Sequence, residues 1–195
     1  MKELLMTIGL PFSGKSTLAE DYAQKGWEVI RRDELLPEII HSPEFEAEVA
    51  KRKEANVGKN LFAIKNEVAV EMLSARVRAL VRDSSSERIF YDGTNLQAAS
   101  RAGILELTKE GVMVDAVLLR VPLEEILNRA LVAAERGDRK DAFNAGAIEG
   151  LRRMLRMAED PEEGEGFRHI DVREFTPEPN EIRQSEPRGF EIKNK

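Results

Sequence analysis

Cysteine is missing from all 195 positions, which excludes disulfides, thiolate metal sites and a thiol nucleophile. Long apolar runs are missing too. None approaches the roughly 20 residues that a membrane-spanning helix requires. The opening Met1–Met6 stretch is soon interrupted by Gly9 and Pro11, too early for a signal peptide, so the cytoplasm is the expected location. There is no excess of positive charge either. Thirty Lys and Arg residues face 36 Asp and Glu, for a net charge of −6. A protein that coats duplex nucleic acid is usually strongly basic, because phosphate neutralisation dominates that binding. A local basic cleft for one phosphate or one strand end stays open.

The residues that are present, 42% hydrophobic and 34% charged, suit a globular chain. Apolar runs at Glu3–Ile8, Trp27–Ile30, Arg88–Tyr91, Val112–Val121 and Phe167–Val172 read as strands. Between them, helices are expected over Lys15–Lys25, from Ser42-Pro43, over Lys59–Arg82, over Gln97–Glu110, from Pro122, and up to about Ala158. Strands alternating with helices predict an α/β fold, a five-stranded parallel sheet sandwiched by helices, with ligands at the strands' C-terminal edge. One domain over residues 1–175 is expected. Pro177, Pro179 and Pro187 among many charges predict a flexible tail over 176–195.

The densest signal follows the first strand. Gly9-Leu10-Pro11-Phe12-Ser13-Gly14-Lys15-Ser16-Thr17 fits G-x-x-x-x-G-K-[ST] between a strand and a helix. Glycines let the backbone close around phosphate oxygens, so that several N–H groups converge on them at a helix N-terminus. Lys15 is placed for the β- and γ-phosphates and the Ser16 hydroxyl for Mg2+. ATP and Mg2+ are therefore the expected ligands of a P-loop NTPase domain.

Two aspartates stand where strands two and three are expected to end, Asp33 and Asp92. A kinase needs a carboxylate to receive the acceptor's proton and commonly another near the metal. Asp33 is read as the base and Asp92 as the metal or acceptor ligand, with exchanged roles as the alternative. The plainer reading of each is a helix cap. Arg129, Arg136, Arg139 and Lys140 surround Gly137, which predicts an arginine-bearing lid in which Arg136 neutralises transition-state charge.

Taken together, Thr7–Pro11 leading into Ser13–Thr17, then Arg32-Asp33-Glu34, Asp92-Gly93-Thr94-Asn95-Leu96, Val121-Pro122, Arg129 and Arg136-Gly137 resemble the kinase domain of phage polynucleotide 5′-hydroxyl kinase, over about residues 1–157. Zeta toxins and small-molecule P-loop kinases share a thinner version of the pattern. The resemblance implies ATP as donor, Asp33 as base and the Asp92–Asn95 turn beside the acceptor. It also implies Arg129 and Arg136 over the phosphates and Arg101 in support of the turn. Three departures accompany it. Leu36 stands where the family carries the arginine that grips the acceptor's phosphate, Gly93 is inserted in the turn, and the stretch from Arg129 to Arg136 is longer.

The first functional expectation is thus a kinase acting on a hydroxyl of a nucleic acid or nucleotide, with Arg32, Asp92, Thr94 and Asn95 at the acceptor. The alternative is a small-molecule kinase whose acceptor is a sugar, nucleotide-sugar or antibiotic. The third is a non-catalytic ATP-binding module, for which a base such as Asp33 has no use.

Overall fold

The computed structural model describes residues 1–138 and 142–176. Five strands, β1 (Glu3–Ile8), β2 (Glu28–Arg31), β3 (Arg88–Asp92), β4 (Met113–Arg120) and β5 (His169–Glu174), form one sheet in the order β2-β3-β1-β4-β5. Every neighbouring pair is parallel, as the alternation of strands and helices predicts. The chain leaves β1 for the β2 edge, returns through β3 and then crosses to β4 on the other side of β1. The order therefore reverses around β1, and the C-terminal end of β1 is the crevice where such sheets hold ligands.

The helices are α1 (Lys15–Gln24), α2 (Arg32–Ile40), α3 (Pro43–Ala55), α4 (Leu61–Asp83), α5 (Ala98–Leu105), α6 (Leu123–Glu135) and α7 (Ala145–Arg156). Side chains alternate across β1. Leu4, Met6 and Ile8 join the larger core, which also holds Ile39, Phe45, Ile64, Val68 and Ile104 from α2 to α5. Leu5 faces the opposite layer, with Ala19 and Tyr22 of α1 and with Trp27 and Phe90. A third cluster, Leu10, Ile126 and Leu151, seats α6 and α7 on the phosphate-loop side. Among the described residues no helix is long and apolar enough to cross a membrane.

Local chemistry sets the helix ends. The Ser42 hydroxyl accepts from Phe45 N–H at 3.2 Å with Pro43 in the first turn, as expected at that start. Asn60 and Asn144 cap α4 and α7 in the same way. Two elements differ from expectation. The second strand does not run on to Asp33: Arg31 is its last residue, and Arg32 already opens α2, which continues through Pro37. The helix expected over 97–110 is α-helical only to Leu105 and tightens into a 3-10 turn over Glu106–Glu110. The tail expected over 176–195 lies outside the described residues apart from Thr176, as do Arg139 and Lys140.

Candidate active site

The phosphate loop is built by close approach. A Cβ on Gly9 would stand 2.8 Å from Ser13 Oγ and 3.2 Å from the Leu119 carbonyl oxygen of β4, so only glycine fits against that strand. Gly14 and Phe12 both take positive φ, 98° and 65°. Glycine does so freely; for a bulky residue it is a strained, enforced conformation. Lys15 is buried beneath the loop and donates from Nζ to the Leu10 carbonyl at 2.6 Å, with Ser13 Oγ at 3.5 Å. Ser16 and Thr17 are exposed in the first turn of α1, whose N-cap, Gly14, offers no side-chain acceptor. The first N–H groups of a helix have no intrahelical partner, so this turn points donors toward the space above the loop. Pro11 is half-buried at the loop's start.

Beside the loop, the turn after β3 is tied to β1 by hydrogen bonds. Thr7 Oγ1 donates to the Gly93 carbonyl at 3.0 Å and accepts from Gly93 N–H at 3.1 Å. Asn95 Nδ2 donates to the Thr7 carbonyl at 2.9 Å, and Gly9 N–H donates to the Thr94 carbonyl at 3.0 Å. Asn95 is held at φ 45°. The inserted Gly93 follows from this packing, since a Cβ there would meet Asn95 Nδ2 at 2.9 Å and Tyr91 Cζ at 3.3 Å. Arg101 sits behind the turn with no exposed surface. It donates to the Asn95 carbonyl at 3.1 Å, to the Glu159 carbonyl at 2.9 Å, and to both Glu165 oxygens at 2.6 and 2.7 Å.

Arg129 of α6 reaches the other side of the loop. Its Nη1 donates to the Phe12 carbonyl at 3.2 Å, its Nε donates to Glu125 at 2.5 Å, and its guanidinium lies 5.1 Å from the ring centre of Phe175. Arg136 is seven residues on, exposed at the C-terminal end of the same helix. That spacing puts the two arginines on one helical face. Gly137 follows with φ 80°.

Of the two aspartates, only Asp92 ends a strand. It pairs in register with Arg31, whose Nη1 is 3.9 Å from its carboxylate. Arg31 also bonds Glu20 at 2.6 Å. Asp33 is instead the second residue of α2, largely exposed, with Arg32 Nη1 at 3.5 Å. Neither is a helix cap, since Arg31 and Gln97 hold those positions. The two aspartates and Arg32 still converge electrically on one buried group, the Tyr91 phenol. Burial pushes its pKa well above the usual value, Asp33 and Asp92 add to the rise, and Arg32 opposes it. Tyr91 therefore stays protonated at neutral pH. Among the described residues no group of three or more His, Asp or Glu could hold a metal. Ser16 and one carboxylate suit Mg2+ bound chiefly through nucleotide phosphates and water.

A cavity of about 700 Å³ borders the same turn. Arg32, Thr94 and Asn95 line it, whereas Asp33 and Asp92 do not. Leu36, at the place of the absent arginine, forms part of its wall with Phe45, Leu73 and Tyr91. Sequence reasoning does not mark Thr7 or Phe175 as site residues. A lone threonine in the apolar β1 run is the available sign for the first; the second depends on a contact distant in sequence.

Residues 4–161 match the family model described as an AAA domain. No curated protein sequence matches the chain. Among solved structures it is similar to a gluconokinase from Sinorhizobium meliloti 1021, at 19% identity and a TM-score of 0.55, covering 92% of this chain and 86% of that one. It is also similar to a candidate kinase from Chloroflexus aurantiacus j-10-fl, at 15% identity and a TM-score of 0.53, covering 89% and 85%. At these identities the likeness is one of fold, a P-loop kinase fold, and the phage polynucleotide kinase resemblance stays one of motifs. The family model spans most of the chain, so the chain belongs to the AAA domain family.

Proposed function

We propose that the protein is an ATP-dependent phosphotransferase that moves the γ-phosphoryl group onto a hydroxyl of a small molecule. One observation carries this reading: the Asp92–Asn95 turn is a shared wall. Thr94 accepts from Gly9 of the phosphate loop. Thr94 and Asn95 also line the cavity, which opens to solvent. In-line transfer needs the acceptor oxygen close to the γ-phosphorus, and one turn that borders both sites sets them side by side.

In this account Gly9, Pro11, Ser13, Gly14 and Thr17 shape the cradle for the ATP phosphates. Lys15 exchanges its bond to the Leu10 carbonyl for phosphate oxygens. Ser16 and Asp92 would hold Mg2+, which would supply charge neutralisation to the nucleotide. The acceptor oxygen bonds to the γ-phosphorus as the bond from phosphorus to the β,γ-bridging oxygen breaks, and ADP leaves with that oxygen. The acceptor's proton passes to the Asp33 carboxylate, which does not itself line the cavity but directly follows Arg32, which does. Arg129 steadies the loop, and Arg136 neutralises charge on the transferring group.

A nucleic acid or nucleotide hydroxyl is the second reading, favoured by Arg31 and Arg32 at this sheet edge. Leu36 in the cavity wall weighs against an acceptor that needs its own phosphate gripped there. The test is incubation with γ-labelled ATP and Mg2+ and a panel of acceptors: 5′-hydroxyl DNA and RNA, sugar acids and amphiphilic alcohols. Label on an alcohol of the panel supports a kinase and names the class. Label found solely as free phosphate contradicts it.

A further inference from the structure

The cavity's walls carry a chemical specification for the acceptor. Its inner part is hydrocarbon: Leu36, Ile40, Phe45, Leu73, Tyr91 and Leu96. Sugars and polyols are held by dense, directional hydrogen bonds, whereas this contiguous hydrocarbon wall suits an apolar body, with Asn66, Ser74, Gln97 and Ser100 as polar groups beside it. Thr94 and Asn95 supply polar groups at the donor end.

The outer part is different. Arg32, Lys65 and Arg153 line the cavity against a single carboxylate, Glu46, in a chain whose net charge is −6. Glu46 is only loosely paired, 3.9 Å from Lys65 Nζ. Arg153 of α7 faces Phe62 of α4, with its guanidinium 6.0 Å from the ring centre. This pair brings together two helices far apart in sequence, and its cation is oriented by an aromatic face. Phe62, Met154 and Met157 are 69%, 39% and 48% exposed although they line the cavity. They are apolar surface on offer to a ligand.

Resting on the kinase reading above, we propose that the acceptor is an anionic amphiphile: an alcohol with an aromatic or alicyclic body and a carboxylate or similar anion at the end away from the hydroxyl. The hydroxyl lies toward Thr94 and Asn95, the body lies along the hydrocarbon wall, and the anion meets Lys65 and Arg153. A polyol acid offers the anion without the body. A strand end brings phosphates that Leu36 in this wall cannot grip.

The test is calorimetric titration of the full chain, first without nucleotide, with four probes. They are a biphenyl carrying a hydroxymethyl group at one end and a carboxylate at the other, the same biphenyl alcohol without the carboxylate, D-gluconate, and a 5′-hydroxyl DNA oligonucleotide. The carboxylated biphenyl is expected to bind at least about tenfold more tightly than gluconate or the oligonucleotide. In a Lys65→Ala, Arg153→Ala double variant, with both changes at partly or fully exposed positions, it is expected to lose about tenfold while the uncharged alcohol binds as before. Gluconate or the oligonucleotide binding as tightly as the carboxylated biphenyl overturns the proposal. So does a double variant that weakens both biphenyls equally. Addition of Mg2+ and ATP then separates the two claims: probe binding with no phosphate transfer counts against the kinase reading and leaves the ligand class supported.

Discussion

Gly9, the first residue of the phosphate loop, donates its N–H to the carbonyl oxygen of Thr94 at 3.0 Å. That bond ties the phosphate loop to the turn that walls the cavity, so a shift of one is passed to the other. Thr7 strengthens the link with its hydroxyl bonds to Gly93.

Substitution at Gly93 tests the rigidity of this wall. A Cβ there meets Asn95 Nδ2 at 2.9 Å and Tyr91 Cζ at 3.3 Å, so Gly93→Ala is expected to cost about 1–3 kcal/mol by overpacking. It should also lower phosphate transfer by more than it lowers ATP affinity. Urea denaturation together with kcat and the Kd for ATP checks both parts.

Arg129 tests the loop from the opposite side. It bonds the carbonyl of Phe12, a residue held at φ 65°. Removing a charged donor costs about 1.5–3 kcal/mol, so Arg129→Ala is expected to weaken ATP binding about tenfold or more. Lysine at the same place cannot keep the Glu125 bond, the Phe12 bond and the Phe175 stack in one plane. Arg129→Lys should therefore recover little, as titration with a non-hydrolysable ATP analogue will show.

Arg101 is a positioning residue. Arg101→Ala strands the Glu165 carboxylate and leaves the Asn95 and Glu159 carbonyls without their donor, a loss of about 3–5 kcal/mol for a buried pair broken on one side. Calorimetry should register a fall in Tm of roughly 10 °C.

The same pair sets an acid dependence. Hydrogen bonds from Arg101 hold the Glu165 carboxyl below its ordinary value of 4.5, against an opposing effect of burial. Its pKa is lower folded than unfolded, so it stabilises the fold fully above the unfolded value and ceases to do so as pH falls through the folded one. Glu165→Gln is therefore expected to be less stable than the wild type at pH 7. That deficit should shrink as the pH drops below about 4.5, a trend that urea midpoints across the range will reveal.

The strands and the phosphate loop were legible in sequence because their signals are local: a short apolar run and a motif of nine consecutive residues. Helix α2 was not, because Pro37 six residues into it reads as a break while Arg32-Asp33 reads as a strand end. That reading put Asp33 at a strand end, whereas it lies in the exposed first turn of α2. The cavity was invisible for another reason. Its walls come from α2, α3, α4 and α7 and from the turn after β3, and no spacing in the chain records that they meet. Arg101 was legible in outline, as a support for the turn, but its partner Glu165 stands 64 positions away.

Single-turnover transfer from γ-labelled ATP by Asp33→Asn is the most direct test of the account, run with whichever acceptor the panel identifies. If Asp33 receives the acceptor's proton, the rate should fall by about 10²–10⁴, with the Kd for ATP unchanged. Transfer at the wild-type rate in Asp33→Asn contradicts the account. A rate lost only in parallel with ATP binding contradicts it equally, since Asp33 would then serve the donor site and not the hydroxyl.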